Sequence, residues 1–227
     1  MTGPRIPQNR RTAWIAGATG LVGGQLLDRL LEDPTYGRVV SLGRRGLERA
    51  HLKLESKVVA FDQLDAVDLP RADDVFCALG TTIRRAGSQQ AFRRVDYDYV
   101  MALARRAVET GAAQFLVVTA IGASPRSRVF YSRVKGEVER DVAALPFRAV
   151  HVFRPSFLTG ERAENRPLER LGIPLFRAIG PLLVGPLRRY RAIAGATVAR
   201  AMRSAALAGV SGLRVYESDE IERMGRV

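Results

Sequence analysis

A tyrosine and a lysine stand four residues apart in the stretch YSRVKGEVE, as Tyr131 and Lys135. Four residues make roughly one helical turn, so both side chains would project from the same face of a helix. Tyrosine ordinarily ionises at about pH 10, and a nearby ammonium lowers that pKa because it favours the phenolate. The spacing therefore predicts an acid–base pair that can exchange a proton with a carbonyl or hydroxyl oxygen at neutral pH.

Such a pair needs a fold that positions it, and apolar runs alternate with helical patterns along the chain. Strands are predicted in the apolar run from Ala13 to Ala16 and in the segments RVVSLGRR, KVVAFD, DDVFCALGTT, QFLVVTAIGAS, FRAVHVFRPS and LRVYES. Helices are predicted around the leucines at 26–31, over 90–110 and around YSRVK. This alternation predicts an α/β fold with a parallel, doubly wound sheet of six to seven strands, covered by helices on both faces.

The chain has 227 residues, a length that fits one large domain with a substantial core. Residues 1–12 are polar and lack the apolar core of a signal peptide, so we expect a disordered tail before a domain over 13–227. Residues 160–195 are rich in Pro, Gly, Leu and Arg and break the alternation. We interpret them as a small substrate-side insertion beside the carboxyl ends of the strands.

Three glycines separate the first predicted strand from its helix in the spacing G-x-x-G-x-x-G. A dinucleotide site requires glycine there for a tight turn, for close approach of the backbone to pyrophosphate and for close helix packing. Backbone N–H groups and the helix dipole then hold the phosphates. We predict that the following residues contact the dinucleotide: Gly17, Thr19, Gly20, Leu21, Val22 and Gly23.

The end of the second strand favours NADP(H) over NAD(H). An acidic residue there would hold the ribose 2′-hydroxyl of NAD, but this strand ends in SLGRR, and Asp33 precedes it. Arg44 and Arg45 could instead bind a 2′-phosphate, although a solvated pair of surface arginines is the alternative interpretation.

Two more segments are candidates for cofactor contacts. Asp62 ends the third predicted strand and could accept a hydrogen bond from the adenine amino group, or serve only as a helix cap or turn residue. Leu79, Gly80 and Thr81 leave the fourth strand where the chain must pass the cofactor, or form an ordinary turn at the strand end.

Charge and cysteine content limit the other classes of function. The net charge is +13, but arginines occur singly or in pairs along the chain, without a basic block or an RNA-binding aromatic motif, which disfavours nucleic acid as the main partner. Cys77 is the single cysteine, which excludes an internal disulfide and fits a reducing cytoplasm. No run of 18 uncharged apolar residues predicts a transmembrane helix.

With these motifs in order, the sequence resembles the short-chain dehydrogenase/reductase superfamily, in its atypical single-domain branch. The resemblance covers about residues 13 to 220 and rests on GATGLVG, SLGRR, FCALGTT, RRVDYDYV, FYSRVKGEVE and VFRPSFLTG. It implies a three-layer Rossmann fold that binds NADP(H). It also implies that Tyr131 is the catalytic acid/base and that Lys135 holds the nicotinamide ribose and lowers the pKa of the tyrosine.

The resemblance assigns further roles. Thr119 lies where the superfamily places a catalytic hydroxyl, with Ser124 as a second candidate. The segment Arg154, Pro155 and Ser156 matches one that flanks the nicotinamide amide. The asparagine that many members place after strand four is not evident in ALGTT.

The remaining chemistry-bearing residues have structural interpretations. Cys77 lies in an apolar strand and is expected in the core, and the glutamates after Lys135 are expected on a solvated helix face. Two histidines, His51 and His151, are too few for a histidine-based metal site or a serine triad, so no metal is predicted. Residues 171–191 could touch a membrane surface or a partner, and we favour a role in lining the substrate pocket.

These observations favour an NADP(H)-dependent oxidoreductase that acts on a small molecule. The same residues also serve epimerisation, and the substrate carries no sequence signature. The alternative is a non-catalytic NADP(H)-binding redox sensor, while a basic nucleic-acid binder would show no cofactor preference. We expect a cytoplasmic monomer or homodimer.

Overall fold

The computed structural model describes residues 10–159 and 189–226. Predictions that fall on residues 1–9 and 160–188, including most of the expected tail and insertion, lie outside these ranges.

Within the described ranges, seven parallel strands form one sheet. They are β1 Arg11–Ala16, β2 Tyr36–Gly43, β3 Leu54–Val58, β4 Asp74–Cys77, β5 Gln114–Val118, β6 Ala149–Arg154 and β9 Gly212–Glu217. Their spatial order is β3-β2-β1-β4-β5-β6-β9. A separate parallel pair consists of β7 Leu158–Thr159 and β8 Ile193–Ala194. The predicted three-layer, doubly wound Rossmann fold is confirmed.

Helices cover both faces of the sheet. They are α1 Leu21–Glu32, α2 Ile83–Ala86, α3 Gln89–Arg93, α4 Tyr99–Glu109, α5 Phe130–Ala143, α6 Gly195–Leu207 and α7 Ser218–Met224. The buried apolar residues of the described chain form two clusters, one under α1, α6 and α7 and one under α4 and α5. Strand β5 is buried along its whole length because it lies between the two clusters, which is why it reads as a continuous apolar run. No helix in the described ranges is both long enough and apolar enough to cross a membrane.

Several element boundaries differ from the sequence-based expectation. Strand β1 begins at Arg11, inside the expected tail, because Arg11 pairs with buried Asp74 and the Thr12 N–H donates to the carboxylate of Asp73 at 2.8 Å. The third strand ends at Val58, before the predicted KVVAFD segment ends, and the chain turns into a 3₁₀ helix at Phe61–Ala66. Val59 and Phe61 of that segment are buried because they pack in the core at the 3₁₀ turn and not because they extend the sheet, whereas Val58 and Ala60 are exposed.

The predicted helix over 90–110 is present but is not uniform. Helix α3 ends at Arg93, a single π-helical turn covers Arg94–Asp98, and α4 continues from Tyr99. A π turn inserts one extra residue per turn and is often found at functional sites, because it changes the direction of the side chains that it carries. Here it points Asp96 into the protein, where that side chain is 1% exposed.

The order of the strands defines where a ligand binds. β1 has β2 on one side and β4 on the other, and the crossovers from this point run toward opposite edges of the sheet. In open parallel sheets, ligands occupy the crevice at the carboxyl ends of the strands at such a switch point. The turns after β1, β2, β4 and β5 therefore surround the expected site.

Candidate functional site

The glycine turn joins β1 to α1 with little free space. Gly17 adopts a positive φ of 90°, and a Cβ built there would lie 2.5 Å from the carbonyl oxygen of Ala78 at the end of β4. A Cβ at Gly23 would lie 2.1 Å from the carbonyl oxygen of Gly17. Glycine is therefore needed at both positions, because the turn approaches both β4 and its own helix.

The N-terminus of α1 faces solvent at the carboxyl edge. Thr19 and Gly20 are exposed, and Gly20 is the N-cap residue, without a side chain to cap the helix. Leu21 is half-buried, while Val22 packs into the core. The first turn of the helix thus presents backbone N–H groups to the edge where an anion would be held.

Arg44 and Arg45 follow β2 at the same edge. Both side chains are exposed, and within the described part of the chain neither forms an ion pair. Asp33, by contrast, is buried and pairs with Arg203 of α6, while its carboxylate accepts a hydrogen bond from the Thr35 N–H at 2.8 Å. Asp33 therefore has a structural role that links α1 to α6, as its position before the strand suggested.

Asp62 is placed differently from the sequence-based expectation. It lies in the first turn of the 3₁₀ helix after β3, and its carboxylate accepts a hydrogen bond from Arg94 at 2.5 Å. That guanidinium holds the pKa of Asp62 below its usual value. Asp62 is therefore a turn residue, and its carboxylate is hydrogen-bonded to Arg94.

A buried ion pair on α5 is tied to the loop after β4. Lys135 is 4% exposed, and its Nζ lies 2.7 Å from Oδ1 of Asp96. Oδ2 of Asp96 accepts a hydrogen bond from the Thr81 N–H at 2.9 Å. A Cβ at exposed Gly80 would lie 3.5 Å from the Asp96 carboxylate and 3.7 Å from Lys135 Nζ. Burial lowers the pKa of Lys135, but the charges of Asp96 and Tyr131 more than offset it and hold that pKa above its usual value.

Tyr131 lies one turn before Lys135 on α5, as the spacing predicted. Its side chain is half-buried, and its ring packs on fully buried Phe92, with ring centroids 5.4 Å apart. Phe92 also contacts Phe130 at 5.8 Å, so α3 supports the first turn of α5. The next turn fits closely as well, because a Cβ at Gly136 would lie 2.1 Å from the carbonyl carbon of Ser124.

The hydroxyl of Thr119 is directed toward α5 and is already bonded. It donates to Oε1 of Glu139 at 2.6 Å, and the residue is 5% exposed. Glu139 is itself buried and accepts hydrogen bonds from Nε and Nη2 of Arg154 at 3.0 and 2.5 Å. Arg154 also bonds Glu217 at 3.0 Å, and the bond to Glu139 raises its pKa. The expectation that the glutamates after Lys135 lie on a solvated face is wrong for Glu139.

The segment after β6 is also held from both sides. The Pro155 carbonyl accepts a hydrogen bond from the Ile121 N–H at 3.0 Å, which joins this segment to the loop after β5. The Ser156 hydroxyl lies between the carbonyl of Arg191 and the hydroxyl of Ser218. Ser124, the second hydroxyl candidate, is half-buried and its Oγ accepts a hydrogen bond from the Arg126 N–H at 3.3 Å.

A cavity of about 280 Å³ lies beside these segments. It is lined by Ile121, Gly122, Arg154, Arg189, Tyr190 and Glu217. These residues belong to the carboxyl ends of β5, β6 and β9 and to the described end of the predicted insertion. The cavity is therefore on the side of the sheet edge that the sequence assigned to substrate.

Other titratable residues lie outside the site or are inert. Burial raises the pKa of Cys77 to about 12, so the thiol is not a nucleophile near neutral pH. His151 is fully buried and its Nδ1 lies 3.0 Å from the Tyr216 hydroxyl, while His51 is exposed. Among the described residues, no group of three or more His, Cys, Asp or Glu side chains is placed to hold a metal ion.

The described residues fit a dinucleotide. The glycine turn leaves a cradle that side chains would fill, the first turn of α1 is open, and a buried ammonium lies directly beneath Gly80. The sequence did not predict the roles of two buried carboxylates near the site, Asp96 and Glu139. The four-residue spacing that identified Lys135 could have indicated Glu139, since residues 131, 135 and 139 share one helix face.

Comparison with known proteins supports this assignment. A family model described as NAD(P)H-binding matches residues 17–162. The chain is 36% identical to the protein HTATIP2 of Rattus norvegicus over 222 residues, covering 95% of this chain and 90% of the rat protein. It is 31% identical to the protein FMP52, named mitochondrial, of Coccidioides immitis (strain RS), covering 95% and 96% of the two chains.

A solved structure with the same fold is MoeE5 in complex with UDP-glucose and NAD. It superposes with a TM-score of 0.68 at 19% identity, covering 94% of this chain and 80% of that one. At this identity the likeness shows the fold alone.

Proposed function

The chain belongs to the NAD(P)H-binding family of short-chain dehydrogenase/reductase-like proteins, and from that membership we propose that it is an NADP(H)-dependent oxidoreductase acting on a carbonyl or alcohol. The observation that carries the proposal is the pairing on α5 of half-exposed Tyr131 with the buried ammonium of Lys135, directly beneath Gly80.

Tyr131 would transfer the proton in this reaction. In reduction, the hydride adds to the carbonyl carbon and the Tyr131 hydroxyl gives its proton to the oxygen; in oxidation, the tyrosine takes the proton back. A nicotinamide, when bound, supplies or accepts the hydride. The Lys135 ammonium stabilises the phenolate that remains after proton donation, because an opposite charge nearby favours the ionised form. The cavity beside Ile121 and Gly122 would hold the rest of the substrate.

The preference for NADP(H) rests on Arg44 and Arg45. They follow β2, at the strand end where the ribose 2′ position is recognised, and guanidinium groups bind phosphate through paired hydrogen bonds. Two exposed arginines without carboxylate partners in the described structure retain their donors for such a phosphate. An acidic residue, which would select the 2′-hydroxyl, is absent from SLGRR.

A second candidate, the non-catalytic NADP(H) sensor, is favoured by one observation. The Thr119 hydroxyl is bonded to Glu139, so it is not available to orient a substrate oxygen in this conformation. A sensor would bind the dinucleotide without turning over carbonyl substrates, and its binding would not depend on the Tyr131 hydroxyl.

The test begins with calorimetric binding of NADPH and NADH to the wild type and to an Arg44→Ala/Arg45→Ala variant. We expect the variant to lose about tenfold or more in NADPH affinity and nothing in NADH affinity, since only the 2′-phosphate contacts are removed. An Arg223→Ala/Arg226→Ala variant, which removes one charge from α7 and one just after it, is the matched control and should bind both nucleotides normally. Failure of the wild type to bind either nucleotide would refute the proposal.

Turnover then separates the enzyme from the sensor. NADPH oxidation is followed with a panel of aldehydes and ketones for the wild type and for Tyr131→Phe. The enzyme predicts turnover that falls by about 10² to 10⁴ in the variant while NADPH affinity is kept. Binding without turnover across the panel would support the sensor.

Partners and location complete the proposal. We propose a small-molecule substrate, no nucleic acid, a monomer or homodimer, and a cytoplasmic location. The fungal relative named mitochondrial makes the location a point to measure, by fractionation of cells that express the full chain. If DNA or RNA binds the basic surface non-specifically, moderate salt should release it while NADPH still binds. That result would show that nucleic-acid binding reflects surface charge and is not the function.

A further inference from the structure

The buried carboxylate of Asp96 is not part of the proposed pair of Tyr131 and Lys135, yet it contacts Lys135. Its two oxygens are used separately, Oδ1 by Lys135 Nζ at 2.7 Å and Oδ2 by the Thr81 N–H at 2.9 Å. Both charged residues are nearly inaccessible, with exposed fractions of 1% and 4%. A lone buried ammonium is very unfavourable, whereas a paired one with hydrogen bonds is tolerated.

We propose that Asp96 is a positioning residue that keeps Lys135 charged and fixes it to the loop after β4, so that the ammonium stays in place beneath Gly80 and beside Tyr131. The inference rests on the proposed function for its meaning in the reaction, but the physical claim concerns only residues of this chain.

The local backbone supports the assignment. Asp96 lies on the π turn Arg94–Asp98, where the extra residue rotates its side chain inward while its neighbour Asp98 remains exposed. The described groups that act on the charge of Lys135 are Asp96 from this turn, Tyr131 from its own helix and Cys77 from β4. Burial raises the pKa of Cys77, so its thiol is neutral near neutral pH, and the Asp96 carboxylate, 2.7 Å from Nζ, supplies the negative charge in contact with the ammonium.

An Asp96→Asn substitution separates charge from shape. The amide has one acceptor oxygen for two donors, so it can satisfy either Lys135 or the Thr81 N–H but not both. Without the negative charge of Asp96, the largest influence that offsets burial is lost and the pKa of Lys135 falls, by up to about 3–5 units in fully buried sites. The matched control is Asp98→Asn, which removes the same charge from an exposed position on the same turn.

The experiment uses NMR of protein labelled on lysine side chains, which is practical because the chain contains three lysines, Lys53, Lys57 and Lys135. In the wild type without nucleotide, Lys135 is expected to keep its proton to a pH above the ordinary value for a lysine side chain. In Asp96→Asn the midpoint of Lys135 should fall by about two units or more, while the other two lysines stay unchanged. Asp98→Asn should leave all three midpoints in place.

Two results would overturn the proposal. One is a Lys135 midpoint in the wild type at or below the ordinary value for a lysine side chain, a measurement that does not depend on whether any variant folds. The other is a folded Asp96→Asn variant in which Lys135 titrates as in the wild type.

Turnover provides an independent reading. If the chain reduces carbonyls, Asp96→Asn should shift the alkaline limb of kcat to lower pH, with a smaller change in KM for the carbonyl, whereas a purely structural role would lower kcat equally at every pH. A wild type that never turns over would refute the oxidoreductase assignment and leave the NMR result on Asp96 standing. The two failures are therefore distinguishable.

Discussion

Adjacent glycines in the first turn of α1 give opposite predictions for the same substitution. A Cβ at Gly23 would stand 2.1 Å from the carbonyl oxygen of Gly17 and 2.6 Å from its carbonyl carbon. A Cβ at Gly24 would meet the carbonyl oxygen of Ala18 at 3.4 Å, an ordinary contact. Gly23→Ala should therefore disturb the dinucleotide turn, and Gly24→Ala should not.

The magnitudes follow from two opposing terms. Alanine is favoured over glycine in a helix interior by about 1 kcal/mol, so Gly24→Ala should raise the free energy of unfolding by up to that amount. In Gly23→Ala the same gain is outweighed, because the obstacle is backbone and can be relieved only by moving the Gly17 turn off the helix. Overpacking of this kind costs about 1–3 kcal/mol, and a shift of about 2–4 °C in Tm accompanies each kcal/mol in a domain of this size.

Denaturant unfolding and NADPH titration of both variants provide the assay. Gly24→Ala should unfold at higher denaturant concentration with unchanged NADPH affinity. Gly23→Ala should unfold earlier and bind NADPH more weakly by about tenfold or more, since the displaced turn no longer presents its N–H groups to the phosphates. Equal stability and equal NADPH affinity in the two variants would refute the packing argument for the turn.

Three further predictions concern buried polar groups. His151 has its pKa lowered to about 4 from 6.5 by burial, so the unfolded chain takes up a proton that the folded chain excludes. The free energy of unfolding should therefore fall as pH drops from about 6.5 toward 4, with a shallower slope in His151→Gln, and identical slopes would contradict this. Tyr36→Phe removes a 2.6 Å hydrogen bond to buried Asp74 and should cost about 1–3 kcal/mol in denaturant unfolding; a cost near zero would contradict it. Glu139→Gln should lower Tm, because the neutral amide is a weaker hydrogen-bond partner for Arg154 than the carboxylate. An unchanged Tm would contradict this and mean that Glu217 alone holds Arg154 in place.

The fold was predictable because the signals for it are local. Period-2 and continuous apolar runs gave the strands, helical spacing gave α1, α4 and α5, and the glycine spacing marked the turn between β1 and α1. The boundaries were less predictable, because burial under a turn and burial in a sheet select the same residue types. KVVAFD shows this, since Phe61 is 3% exposed outside any strand.

The polar interior of the site was not predictable, because each member takes its role from a residue far along the chain. Thr119 occupies the position that the superfamily resemblance assigns to a catalytic hydroxyl, but its partner Glu139 arrives from the next helix. Asp96 is one of the two acids in RRVDYDYV, and only the π turn distinguishes it from exposed Asp98. If α3 and α4 formed one regular helix without the π turn, we would have expected Asp96 on the solvated face.

The distribution of paired and unpaired arginines indicates which part of the carboxyl edge accepts an anion. Arg154 borders the substrate-side cavity but is held by two carboxylates, so an incoming anion would have to compete with Glu139 and Glu217. Arg44 and Arg45 have no such competitor among the described residues. Arg44 and Arg45 therefore offer a phosphate more than Arg154 does, because their guanidinium donors are not committed to a carboxylate among the described residues. The proposed phosphate site after β2 thus differs from Arg154 in that its two arginines have no carboxylate partner in the part of the chain that the structure describes.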